Sequence, residues 1–317
     1  MKTFFIVCGI TLAVLVLLFF AVTFICFIIP FYARRKSTAP TEEFSIPQGE
    51  VYEPFRDKMV SWMKETRATP SKEYYITSFD GLKLHGVFYE NVPGAPVELM
   101  FHGYRGTAER DLCGGMQRCF SLGRNAFIVD QRTSGKSEGN VISFGINESR
   151  DCLAWVDFLV KTLGEDVKII LCGISMGATT VMLASGKDLP KNVVGVLADC
   201  GFSTAKEIIT AVIKKMGLPP RLLYPFVRLG ARIFGGFDPE SDSAVEAVKR
   251  SRVPIIFIHG EEDDFVPCHM SRACFDACAS GKKLVTVPGA GHGLAYLVDP
   301  ELYLTSLAEF FPDYTKR

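Results

Sequence analysis

From Phe4 to Tyr32 the chain carries no charged residue, and Leu, Ile, Val and Phe dominate the run. At 29 residues it exceeds the roughly 20 that a helix needs to cross the hydrocarbon core of a bilayer, and it is longer than the apolar region of a signal peptide. No small-x-small cleavage site follows. The pattern predicts a retained, single-pass membrane helix over 4–32, with a cleaved signal sequence as the alternative. Arg34-Arg35-Lys36 comes next, whereas Lys2 and the α-amino group are the only positive charges before the run. That bias favours the cytoplasmic side for the remainder of the chain.

The stretch 33–71 reads as a juxtamembrane linker and helix. Pro40, Pro47 and Gly49 break up 37–50, and 51–67 aligns Phe55, Met59, Trp62 and Met63 along one side of a helix that lies on the domain or on the membrane surface. From Lys72 the pattern alternates. Tyr74-Tyr75-Ile76, the turn signal Asp80-Gly81, then Leu82, Leu84, Val87 and Phe88 predict a hairpin that opens a globular domain over 72–317. Short, largely β-branched runs follow at 97–101, 126–129, 167–172, 193–198, 254–258 and 284–287. They alternate with helical patterns near 107–122, 147–163, 176–185, 268–279 and 300–311. This rhythm predicts an α/β architecture, a mostly parallel sheet with helices on both faces and function at the carboxyl ends of the strands.

One insertion interrupts the rhythm between Asp199 and Pro254. Its helical segments, near 203–216 and 221–234 around Leu218-Pro219-Pro220, suit a small cap over the strand ends, at about 201–250. Ile208, Ile209, Ile213, Leu222, Leu223, Phe226 and Phe234 either shape an acyl pocket there or pack the cap onto the domain.

Charge narrows the partners. Lys plus Arg and Asp plus Glu number 35 each, which gives no footprint for nucleic acid or a strongly acidic partner and favours a small-molecule substrate. Ten cysteines in 317 residues do not make a disulfide scaffold, and no Cys-x-x-Cys or Cys/His metal spacing occurs. Cys172 and Cys200 end apolar runs as buried thiols would, in keeping with a reducing compartment. Asn147-Glu148-Ser149 is a formal glycosylation sequon, but it falls where a helix begins.

The candidate chemistry centres on Gly173-Ile174-Ser175-Met176-Gly177, where an apolar run meets a helix of small residues. A serine on a sharp strand-to-helix turn requires neighbours without Cβ atoms, and the free N–H groups of the following helix favour negative charge beside it. Ser175 is therefore the candidate nucleophile. Phe101-His102-Gly103-Tyr104 follows a strand and can aim the Tyr104 N–H at the serine, with the Met176 N–H as the second oxyanion donor. His102, before glycine at a strand end, reads as a structural hydrogen-bonding residue. His292, between glycines in a late loop, is the candidate base, ahead of His269 on a helix and His85 in the hairpin. The acid that orients it comes from Glu261, Glu262, Asp263 or Asp264, or from Asp199, each just past a strand.

With those residues in place, the chain from about Lys72 to Pro312 resembles an α/β-hydrolase of the branch related to lysophospholipases, bacterial esterases and serine aminopeptidases. The order Ser175, acid, His292 is that of the fold. The family's His-Gly-x-x-Asp-x-x-Val-Pro motif falls on His259 to Pro267 and selects Asp263. Its Asp-x-Arg-Gly-x-Gly-x-Ser segment resembles Asp130 to Ser137, with Thr133 in place of a glycine. The resemblance implies a serine hydrolase acting on an ester, thioester or amide, without metal or organic cofactor, and the membrane helix favours a carboxylic ester or lipid acyl substrate. A serine peptidase of the same fold is one alternative. A non-catalytic membrane receptor or scaffold that binds an apolar ligand is another, and the intact Ser, Asp and His set argues against it.

Overall fold

The computed structural model describes residues 1–34 and 44–314. Arg35, Lys36 and the linker as far as Glu43 lie outside the described residues. Helix α1 spans Lys2–Phe31 and is long and apolar enough to cross a membrane. A 3₁₀ turn at Glu50–Phe55, which contains Pro54, leads into α2 at Arg56–Ala68. Met59 and Met63 of α2 are buried with Ile46 and Cys113, so this helix lies on the domain.

The hairpin consists of β1 (Lys72–Thr77) and β2 (Lys83–Tyr89), paired antiparallel. The remaining elements alternate: β3 (Val97–Phe101), α3 (Ala108–Ser121), β4 (Asn125–Asp130), α4 (Glu148–Leu163), β5 (Ile169–Ile174), α5 (Met176–Ser185) and β6 (Val193–Asp199). After α6 (Ala205–Lys215), α7 (Pro220–Phe234) and α8 (Ala244–Arg250) come β7 (Ile255–Gly260), α9 (His269–Ala277), β8 (Lys282–Val287), α10 (Ala295–Val298) and α11 (Pro300–Phe310). The eight strands form one sheet in the order β1-β2-β4-β3-β5-β6-β7-β8. From β4 to β8 every pairing is parallel.

Helices cover both faces. Trp155 and Val156 of α4, Val181 of α5, Val248 of α8 and Cys274 of α9 are buried in one core, and Leu112 and Met116 of α3 with Tyr303 and Leu307 of α11 in the other. Fully burying one such aliphatic side chain favours folding by about 1.5–3 kcal/mol. Local signals set the helix starts. Thr107, Thr204, Ser243 and Asp299 each accept a backbone N–H of the first turn, and this capping removes an otherwise unpaired donor.

Two features depart from the sequence pattern. Helix α8 is only seven residues long, too short for a periodic signal, and it packs onto the body of the domain through Ala244, Ala247 and Val248. The apolar run of β3 conceals Glu98, which is fully buried between Arg118 and Arg124, with Arg124 Nη1 donating to it at 2.7 Å. Burial opposes its charge, but the two guanidiniums outweigh that and hold the Glu98 carboxyl below its ordinary range.

Candidate active site

Ser175 sits between β5 and α5 with φ 57° and ψ −120°. A non-glycine residue there is strained by about 1–3 kcal/mol, a cost the surrounding packing must offset. The turn is pinned by the Ser175 N–H, which donates to the Asp199 carbonyl at 2.8 Å, and by the Thr179 N–H, which donates to the Ser175 carbonyl at 3.1 Å. Its tightness explains the flanking glycines. A Cβ on Gly173 would lie 2.2 Å from the Gly177 carbonyl, and one on Gly177 would lie 2.0 Å from the Phe101 carbonyl oxygen.

The structure brings His292 and Asp263 to this serine. His292 Nε2 lies 2.9 Å from Ser175 Oγ, and its Nδ1 lies 2.6 Å from Asp263 Oδ2. The loop after β7 presents Asp263, whose Oδ1 accepts the N–H groups of Phe265 (2.9 Å) and Val266 (2.8 Å). His259 Nε2 stands 3.2 Å from the other carboxylate oxygen. Burial works against the charge of Asp263, yet the hydrogen bonds from His259, His292 and the Val266 N–H prevail and hold its carboxyl far below the usual carboxylate range. It is an anion at neutral pH, suited to holding the His292 ring with its proton on Nδ1 and a lone pair on Nε2 facing the serine.

The other candidate acids do not reach His292 by a hydrogen bond. Asp264 pairs with Lys215, Glu261 accepts from the Thr286 hydroxyl, and Glu262 is exposed. Asp199 accepts the Tyr303 hydroxyl at 2.8 Å, and burial pushes its carboxyl up. His102 is buried, its Nε2 accepting the Gln131 N–H at 3.1 Å and its Nδ1 2.8 Å from the Gly103 carbonyl. His85 pairs with Asp130, and His269 with Glu207.

Tyr104 occupies the loop after β3, and Met176 is the first residue of α5. Hydrogen bonds among the described residues leave both of these N–H groups unengaged, as the first N–H groups of a helix usually are within the helix itself. Asp111, which carried no sequence signal, fixes the Tyr104 loop by accepting the Gly103 N–H at 3.1 Å. Tyr52, from the 3₁₀ turn, was equally silent. Its hydroxyl donates to the His292 carbonyl at 2.9 Å. Thr133 takes up φ 75°, the left-handed conformation for which a glycine would be the unstrained choice, and its N–H donates to the Glu138 carbonyl at 2.9 Å.

Cys200, Asp263 and His292 form the one cluster among the described residues whose donor atoms converge as a metal site would require. Both ring nitrogens of His292 are already engaged, and burial pushes the Cys200 thiol well up, so it stays protonated. The donors suit a hydrogen-bonded relay better than a cation. An apolar cavity of about 260 Å³ opens from Ser175, lined by Phe144, Phe202, Ile208, Ile209, Ile213 and Leu223 among others. Of the insertion's apolar residues, Leu222, Phe226 and Phe234 are not among its walls. Phe226 and Phe234 pack on Phe19, Phe24 and Phe27 of α1.

The sheet, the serine turn and the order of the three residues define a hydrolase. The chain belongs to the alpha/beta hydrolase family, whose sequence model matches residues 84–305. It is 26% identical over 196 residues to the uncharacterized protein YqkD of Bacillus subtilis, a match covering 62% of this chain and 64% of that one, just under two thirds of the relative's length. In fold it is similar to an esterase from Pyrococcus furiosus, with a TM-score of 0.66, 22% identity and coverage of 86% of this chain and 97% of the esterase. An acylaminoacyl peptidase from Pyrococcus horikoshii shares the fold at a TM-score of 0.56 and 17% identity, covering 80% of this chain and 43% of the peptidase.

Proposed function

We propose that the protein is a membrane-anchored serine hydrolase that cleaves carboxylic esters through an acyl-enzyme on Ser175. The observation that carries this reading is the continuous hydrogen-bonded line from Asp263 through His292 to Ser175. As Ser175 Oγ attacks the ester carbonyl, its proton passes to His292 Nε2, and Asp263 stabilises the imidazolium that forms. The tetrahedral oxyanion is held by the N–H groups of Tyr104 and Met176. Collapse breaks the bond to the alcohol, which leaves with the proton from His292. Water then gives a proton to His292 and attacks the acyl-enzyme carbonyl; His292 returns that proton to Ser175 Oγ as the acyl–oxygen bond breaks, which releases the acid and restores the serine. No step calls on a metal or organic cofactor.

The apolar cavity at Ser175 favours an acyl substrate over a peptide. Two further features support a retained anchor with the 72–317 domain attached to it. The Ile142 N–H donates to the Phe31 carbonyl at 2.8 Å, and the Ala33 N–H to the Asn140 carbonyl at 2.9 Å, so the end of α1 is built into the domain. Arg34-Arg35-Lys36 favours the cytoplasmic side. The test is a panel of acyl esters of graded chain length, with matched amides, assayed beside Ser175→Ala. Ester turnover that disappears in the variant supports the reading, and turnover that persists overturns it.

A further inference from the structure

The cavity at Ser175 is not closed by the hydrolase domain alone. Cys26, Ile29 and Pro30, all on α1, form one of its walls. This end of α1 is fixed against the catalytic loops. The Tyr104 hydroxyl donates to the Pro30 carbonyl at 2.8 Å, and the Arg105 guanidinium donates to the carbonyls of Ile29 (2.8 Å) and Tyr32 (3.0 Å). The residue assigned as an oxyanion donor through its N–H thus grips the anchor helix with its side chain.

Met216 and Leu218, in the turn between α6 and α7, also line the cavity, and both are exposed. Helix α7 runs beside α1, with Phe226 against Phe19 at 5.6 Å between ring centroids and Phe234 against Phe24 at 5.1 Å. About 20 residues of helix span the roughly 30 Å hydrocarbon core. Counted from Lys2, that core extends past Phe19, so the α7 contact begins at the depth of the acyl chains. Leu222 of α7, one turn before Phe226, is exposed there, as a lipid-facing surface would have it.

We propose that the substrate is a long-chain acyl ester resident in the bilayer, whose chain enters between α1 and the α6–α7 turn, and that Cys26, Ile29 and Pro30 are specificity residues for that chain. The inference rests on the serine-hydrolase reading and adds that the anchor is part of the acyl site.

The full chain is tested in phosphatidylcholine nanodiscs with 4-methylumbelliferyl butyrate and palmitate, as wild type, Ile29→Trp and Leu218→Asp. Leu12→Trp, on the exposed opposite half of α1, serves as control. The expected result is a fall of at least about ten-fold in the palmitate-to-butyrate ratio of kcat/KM in Ile29→Trp and Leu218→Asp, a size set by the loss of apolar contact in a substrate pocket, and an unaltered ratio in Leu12→Trp. A fluorophosphonate probe on Ser175 reports folding. If Ile29→Trp is not labelled, Leu218→Asp decides alone. A wild-type ratio in the labelled pocket variants overturns the inference while leaving the hydrolase reading intact, whereas wild-type protein that is neither labelled nor active on either ester overturns both.

Discussion

The Tyr52 hydroxyl donates to the main-chain carbonyl of His292 at 2.9 Å, a contact between residues 240 positions apart. It ties the segment that follows α1 to the loop carrying His292. Tyr52→Phe keeps the ring and removes only this bond. A net hydrogen bond of about 1 kcal/mol corresponds to a several-fold change, so kcat for a short ester should fall about five-fold, while the unfolding midpoint drops by no more than about 2–4 °C. Wild-type kcat in Tyr52→Phe would contradict a positioning role.

Acid should remove a stabilising contribution of Asp263. Its folded carboxyl is held below the unfolded value of about 3.9, so the folded state binds fewer protons than the unfolded chain. The contribution is complete above about pH 4 and is lost as pH falls through the folded value. The difference in unfolding midpoint between wild type and Asp263→Asn should be largest near neutrality and shrink below about pH 4. A difference that grows in acid would mean that the carboxylate is not stabilised in the folded state.

Glu98 neutralises two buried guanidiniums, those of Arg118 and Arg124. Removing one partner of such a group leaves charge without compensation and costs about 3–5 kcal/mol. Glu98→Gln should lower the unfolding free energy in a urea titration by that order. A change within about 0.5 kcal/mol, the range of ordinary surface substitutions, would show that the arginines find other partners.

Ser175, Asp263 and His292 were legible in the sequence because each follows a strand and is framed by residues that the local backbone demands. Residue chemistry alone left Asp199 and the acids at 261–264 open as partners of the histidine, and the resemblance of His259–Pro267 to the family motif selected Asp263. Asp199 ends β6 and Asp263 lies just past β7, and the three-dimensional arrangement shows Asp199 engaged with Tyr303. Glu98 was hidden for a related reason: a run of apolar neighbours signals a buried strand, and a buried carboxylate is tolerated only through arginines distant in sequence. Tyr52 and Asp111 act through tertiary contacts with main-chain groups, which leave no periodicity or motif. The insertion's apolar residues were read as pocket or packing. Ile208, Ile209, Ile213 and Leu223 line the cavity, Phe226 and Phe234 of α7 pack on α1, and Leu222 is exposed, a division that depends on the tertiary arrangement.

The central claim is that Ser175 is an activated nucleophile, and the most direct measurement is intact-mass analysis of the full chain after exposure to a fluorophosphonate. The account predicts one adduct on wild-type protein, located at Ser175, no adduct on Ser175→Ala, and parallel loss of ester turnover. An adduct that persists in Ser175→Ala, or a folded wild-type protein that remains unlabelled and inactive, would contradict it.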